Sequence, residues 1–264
     1  MRYKFQLKLA GEPHIAHNYH ASLGDAVYKL LRFDGDEFLS DEVAKPALAD
    51  GERYEYYSYA LRFSEVAPQR DGLKLKKPYA ALIFSAPGVE EYIAGLSERL
   101  EGERLEIFAD GIRTEFEISK VEPIRDPQIK RIDSYTLLSP MVLALPEDPN
   151  QRYLRHNDDP GLINEAFNES LRRKFEIVNG EKYDGDSARL YWDQKYISKR
   201  LKRGKKTTKK IRISRNGSAP EEIVALEIPF TVEGDPELIR AGYLAGFGVK
   251  NNLGFGLAEK KRSR

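Results

Sequence analysis

Alternating and helical hydrophobic patterns succeed one another in the same order in both halves of the 264-residue sequence: strand, helix, strand, strand, helix, strand. In the first half, residues 3–9 alternate, and residues 22–32 carry Leu23, Ala26, Val27, Leu30 and Leu31 on one helical stripe. Residues 53–63 and 79–85 are strand-like runs rich in Tyr, Phe and Ile. Residues 89–100 read as a helix, and residues 105–118 as a hairpin turning at Asp110-Gly111. In the second half, strands are expected over 135–143, 189–197, 223–231 and 253–259. Helices are expected over 159–177 and 235–245, the latter with Asp235 as cap and Pro236 in its first turn. The order is that of the split β-α-β unit. It predicts an α+β chain of two domains, 1–123 and 128–264, joined through residues 123–127. The repetition is one of pattern, not of residue identity.

Composition narrows the function by exclusion. Cysteine is absent, which removes disulfides, thiolate zinc sites and cysteine nucleophiles. No apolar run reaches the roughly 18–20 residues of a membrane span, and the first five residues alternate instead of forming a signal-peptide core; no membrane and a cytoplasmic location are the expectation. The net charge of +1 conceals an uneven distribution. Residues 195–212 hold ten of the 43 basic residues and no acidic one, which leaves 33 basic against all 42 acidic residues elsewhere. Concentrated cationic surface of this kind suits a polyanion, because each neutralised phosphate releases counterions. A solvated basic loop is the alternative that charge alone leaves open.

The C-terminal stretch is the most specific signal. From Gly242 it reads GYLAGFGVKNNLGFG, placing Gly246, Gly248, Gly254 and Gly256 around Lys250, Asn251 and Asn252. Glycines admit positive φ and close backbone approach. Successive N–H groups of such a loop form an anion-binding concavity, to which Lys250 adds charge and the two asparagines add amides.

The order helix, G-x-G, Lys-Asn-Asn, Leu-Gly-Phe-Gly, last strand resembles the glycine-rich signature of the RAMP superfamily. It resembles in particular the CRISPR repeat-RNA-processing endoribonucleases, the Cas six family. Residues 18–31, NYHASLGDAVYKLL, fit that family's first helix and its leading loop; Phe38-Leu39 and Tyr56-Tyr57-Ser58 fit the following region. The resemblance implies two tandem ferredoxin-like (RRM-like) domains, with CRISPR repeat RNA as partner crossing a groove between them. It implies no metal and no cofactor: a ribose 2′-OH attacks the adjacent phosphorus, leaving a 2′,3′-cyclic phosphate and a 5′-hydroxyl. It leaves open a non-catalytic repeat-RNA binder, assembly into a CRISPR effector complex, and self-association as a homodimer.

Candidate residues follow from that resemblance and from local pattern. Many relatives carry a catalytic histidine where Ser40 stands here, and His20 is the expected replacement. With Ser22 read as the N-cap, His20 lies beside a helix N-terminus, where phosphate is attracted and a histidine is held neutral; a surface or capping role is its alternative. Tyr28 falls off the apolar stripe and matches a family tyrosine near the scissile phosphate, with packing as its alternative. Arg53 stands where some relatives carry a catalytic lysine, its guanidinium suited to a pentacoordinate phosphorane; Lys45 is a second candidate for that role. His14, His17 and His20 share a three-residue spacing but fall in an expected loop with few carboxylates, so metal binding is not expected. His156, in a polar linker, is read as solvated. In the basic segment, Lys199, Arg200, Lys202, Arg203, Lys205 and Lys206 are expected to contact phosphates and so position RNA without specifying its sequence. Tyr191, Trp192 and Tyr196 flank them, with Trp192 read as structural.

Overall fold

A computed structural model describes residues 1–32, 56–145, 152–213 and 220–261. Arg53, Lys45, Ser40, Phe38 and Leu39 lie outside the described residues. The chain divides into two compact units: Met1–Arg125 with Ile213–Pro220 and Asn252–Gly254, and Asp126–Arg212 with Glu221–Asn251 and Phe255–Arg264.

The first unit runs β1 (Arg2–Leu9), β2 (His14–Ala16), α1 (His20–Leu30), β3 (Ser58–Phe63), β4 (Val66–Pro68), β5 (Gly72–Leu75), β6 (Tyr79–Ser85), α2 (Glu90–Leu100), β7 (Arg104–Ala109) and β8 (Ile112–Ile124). Its main sheet has the order β3-β6-β1-β8-β7, all neighbours antiparallel. Without the edge strand β7, this is the 4-1-3-2 order of a ferredoxin-like unit. The alternation of β1 buries Tyr3, Phe5 and Leu7 against Leu23 and Val27 of α1 and Ile93 and Leu96 of α2 in one core cluster. The β7–β8 hairpin turns at Asp110 (φ 48) and Gly111 (φ 79), the two left-handed residues that a tight hairpin turn needs. A small sheet, β2-β5-β4, was not legible in the sequence: His14, expected in a loop, pairs with Lys74.

The second unit runs β9 (Ile132–Leu137), α3 (Pro160–Asn179), β10 (Arg189–Trp192), α4 (Gln194–Lys202), β11 (Thr208–Ile213), β12 (Glu221–Leu226), β13 (Phe230–Glu233), α5 (Pro236–Ala245), a 3₁₀ turn (Asn251–Leu253) and β14 (Ala258–Lys260). The sheet order β10-β13-β9-β14 is again ferredoxin-like. Both long helices open on an aspartate followed by proline: Asp159 accepts from the Leu162 N–H and Asp235 from the Glu237 N–H. Phe167, Tyr135, Phe230 and Phe247 form the aromatic centre of the core.

Four strands are shorter than the alternation predicts or break within the expected span. The strand expected over 135–143 ends at Leu137. The one expected over 189–197 stops at Trp192, because Asp193 accepts from the Tyr196 N–H and caps a helix instead. The one expected over 223–231 breaks into β12 and β13 around Pro229, which has no N–H to give a ladder. Residues 253–257 leave the strand expected there because Gly254 and Gly256 take φ 81 and 76.

Candidate functional site

The first helix begins three residues before the expected Leu23. Ser22 does not cap it; its hydroxyl donates to the Phe108 carbonyl (2.6 Å), and the chain enters the helix at His20 after Tyr19. His20 thus stands at the positive end of the helix dipole, as a residue only 4% exposed. Its ring stacks on that of Tyr19 with centroids 4.5 Å apart, and its carbonyl accepts from the Tyr59 hydroxyl at 3.0 Å.

Residues spaced four apart share a helix face, and His20, Gly24 and Tyr28 form such a line. Tyr28 does not stand off the buried face as the stripe suggested: α1 buries both Val27 and Tyr28, and the Tyr28 ring lies 6.4 Å from that of Tyr57. Gly24, between the two candidates, leaves the helix surface open to close approach. A methyl group there would stand 2.7 Å from the Tyr59 hydroxyl and 3.2 Å from the Asn252 carbonyl. Within the first unit, therefore, the Asn252–Gly254 segment of the glycine-rich stretch packs on the middle of this ridge. Gly254 completes the fit, since a side chain there would meet the Tyr59 ring 2.6 Å away. The phenols around the ridge are held protonated: burial pushes Tyr19 up to about 12, and Tyr59 well above its ordinary value by burial first and then by Tyr57, Asp25 and Tyr19. They are hydrogen-bond donors at neutral pH, not bases.

In the second unit, the rest of the glycine-rich stretch is a rigid turn. Gly246, Gly248 and Gly256 take positive φ, as does Lys250 (φ 60). A side chain at Gly248 would run into the Val142 carbonyl, and one at Gly256 into that of Phe247. The N–H groups of Phe247, Val249, Gly256 and Leu257 donate to Gly256, Val142, Pro140 and Ser139; they are spent on the fold and not offered to an anion. Asn251 is also structural, its amide donating to the carbonyls of Phe247 (3.4 Å) and Phe255 (2.9 Å). The four glycines are buried, and the stretch reaches the surface at Val249, Lys250 and Asn252.

Sequence reasoning missed the group beneath this turn. Lys174 lies on α3 among Phe167, Ser170 and Leu171, is 7% exposed, and donates to the Gly248 carbonyl. Burial pushes its ammonium down to about 7. A lysine four residues from Ser170 and seven from Phe167, on the buried face of the helix, was the available signal. Lys250 itself pairs with Glu221, which also accepts from the Tyr153 hydroxyl.

The basic segment is largely helix and strand, with residues 203–207 forming the turn and loop between them. Lys195, Lys199, Lys202 and Arg203 stand exposed along one face of α4, and Lys205 and Lys206 follow exposed. Arg200 stands apart: it donates to the Tyr196 hydroxyl (2.9 Å) and to Glu227 (3.3 Å), so its guanidinium is already engaged. Trp192 packs edge-on to Phe230 in the core, whereas Tyr191 is exposed and bonds Glu233. His156 is half-buried, not solvated, and its ring Nδ1 faces the Thr207 hydroxyl at 3.2 Å. The ring of His14 faces Asp71 and that of His17 faces the Gln69 carbonyl. Among the described residues no group of three or more His, Asp or Glu is arranged to hold a metal, and no helix is long and apolar enough to cross a membrane.

Comparison with known proteins fits this arrangement. Residues 122–260 match the family described as CRISPR associated protein Cas6, C-terminal. A protein of Methanocaldococcus jannaschii, CRISPR-associated endoribonuclease Cas6 1, is 25% identical over 97% of this chain and 91% of its own length. Two solved structures share the fold. One, titled "An RAMP protein binding different RNA substrates", has a TM-score of 0.74 at 18% identity, covering 99% of this chain and 100% of its own. The other, from a Cas6-related gene of Pyrococcus furiosus, has a TM-score of 0.73 at 18% identity, covering 100% and 99%. The tandem ferredoxin-like fold and the match across the glycine-rich turn together make this chain a member of the Cas6 family of CRISPR-associated proteins.

Proposed function

We propose that the chain is an endoribonuclease that binds CRISPR repeat RNA and cuts the precursor transcript. The observation that carries this reading is the juxtaposition, within a family member, of the His20–Gly24–Tyr28 ridge and the Asn252–Gly254 segment. In the proposed step the ribose 2′-oxygen bonds to phosphorus, its proton passes to His20, and the P–O5′ bond breaks. The departing 5′-oxygen takes a proton from water, and His20 returns its own to solvent, leaving a 2′,3′-cyclic phosphate and a 5′-hydroxyl. Nucleophile and leaving group both belong to the substrate, so proximity supplies much of the acceleration. Tyr28 as a neutral donor and Arg53 as a cation are assigned to the phosphoryl oxygens. Lys199, Lys202, Arg203, Lys205 and Lys206 hold the flanking backbone electrostatically.

A second reading, a repeat-RNA binder without cleavage, is favoured by one observation: His20 is nearly inaccessible. Single-turnover incubation with repeat RNA in EDTA separates the two. The first reading expects a cyclic-phosphate product, abolished by a 2′-deoxy nucleotide at the cut site. Tight binding with intact RNA at large enzyme excess is the outcome of the second, and cutting of the deoxy substrate would overturn the proposed chemistry.

A further inference from the structure

The glycine-rich turn carries one cation, and the fold holds it against an acid. Lys250 Nζ lies 2.9 Å from Glu221 Oε1 and 3.1 Å from Oε2, and its ammonium is 5.8 Å from the centre of the Tyr153 ring. The Tyr153 hydroxyl donates to the same Oε1, so tyrosine and lysine hold the carboxylate at one shared oxygen. Lys250 sits between the Val249 N–H, which donates to the Val142 carbonyl, and Asn251, whose side-chain amide donates to Phe247 and Phe255. The Lys250 side chain is 26% exposed against 38% for Glu221, so both groups reach solvent. Beside the pair opens a cleft of about 600 Å³ lined by Tyr153, Glu221, Glu222, Arg152 and Arg155. Arg155 is exposed on its wall, while Arg152 pairs with Asp158.

We propose that Glu221, steadied by Tyr153, is a specificity-setting latch on Lys250: the lysine serves a phosphate only by exchanging the carboxylate for it. The inference rests on the reading of the chain as a repeat-RNA binder. Its consequence is that Lys250 adds little to the binding of any polyanion that merely drifts onto the surface. A phosphate held in register by the rest of the RNA displaces the carboxylate, whereas a mobile one does not. Exchange of one partner for another also releases fewer counterions than capture by an unpaired lysine, so the latch flattens the salt dependence.

Binding of labelled repeat RNA, carrying a 2′-deoxy nucleotide at the cut site, is measured from 50 to 500 mM KCl for wild type, Glu221→Gln, Tyr153→Phe, Lys250→Gln and the Glu221→Gln/Lys250→Gln double variant. A scrambled RNA of equal length is the comparison. Glu221→Gln is expected to tighten binding of both RNAs by up to about five-fold, the size of one partly exposed ion pair. It narrows the ratio between the two RNAs and steepens the slope of log K against log salt by about 0.7. Tyr153→Phe moves in the same direction by less, and the double variant binds as Lys250→Gln does. An unchanged or weakened Glu221→Gln with intact wild-type binding, or the same gain in the Lys250→Gln background, overturns the latch alone. Wild-type binding without salt dependence overturns the RNA reading and the latch with it.

Discussion

Replacing Lys174 by methionine removes an ammonium buried under the glycine-rich turn while keeping most of its volume. In the unfolded chain a lysine titrates near 10.4, whereas burial holds Lys174 at about 7 in the fold. Between these values the unfolded state binds more protons, so the residue's contribution to stability rises with pH, by about 1.4 kcal/mol per pH unit. Below about pH 7 both states are protonated, and the penalty for the buried charge is full and constant. From pH 7 to 9 wild type should therefore gain about 2–3 kcal/mol on Lys174→Met. Lys174→Met also loses the bond to the Gly248 carbonyl, which favours wild type by a further amount of about 1–3 kcal/mol that does not change with pH. Taking the difference between the two proteins cancels all other titrations. Trp192, the only tryptophan, packs on Phe230 in the second unit, so its fluorescence during urea unfolding reports the unit that contains Lys174. A stability difference that stays flat from pH 6 to 9 would refute the reasoning, and would mean that the ammonium is solvated or paired in solution.

Other outcomes follow from the same geometry. His20→Ala should lower the single-turnover cleavage rate by about 10²–10⁴-fold with repeat-RNA affinity nearly unchanged, the loss of one proton-transfer group; an unchanged rate removes His20 from the base role. Changing Lys199, Lys202 and Arg203 together to Gln should reduce the salt slope of RNA binding by about 2, three contacts at about 0.7 each, with thermal stability unmoved. Gly254→Ala combines a positive φ of 81 with contact on the Tyr59 ring; a loss of about 1–3 kcal/mol in stability is expected from the backbone alone, read as a lowered melting temperature.

The main sheets were legible because their signals are local. Alternation in residues 3–9, the Asp110-Gly111 turn and the Asp-Pro cap of α5 each act within a few residues. What failed depended on competition. Ser22 has the chemistry of a cap, yet its hydroxyl finds the Phe108 carbonyl 86 residues away. Asp193 turns a run that alternates well into a helix. Tyr28 looked peripheral because the stripe was drawn through aliphatic residues alone, while the fold buries a wider face that takes in its ring. In the glycine-rich stretch the need for positive φ was readable. Its cause was not, because the carbonyls of Val142 and Phe247 and the ring of Tyr59 that exclude side chains come from other elements. The partners of Lys250 and Arg200 are equally nonlocal, at Glu221 and Glu227.

The proposed cleavage puts the scissile phosphate against the His20–Tyr28 ridge and the Asn252–Gly254 segment. A structure of the protein with repeat RNA blocked by a 2′-deoxy nucleotide tests it most directly. The account requires the phosphate at the cut site within hydrogen-bond reach of His20 or Tyr28, with the backbone continuing past Asn252. RNA seated elsewhere, with both side chains still sealed in the core, would contradict it.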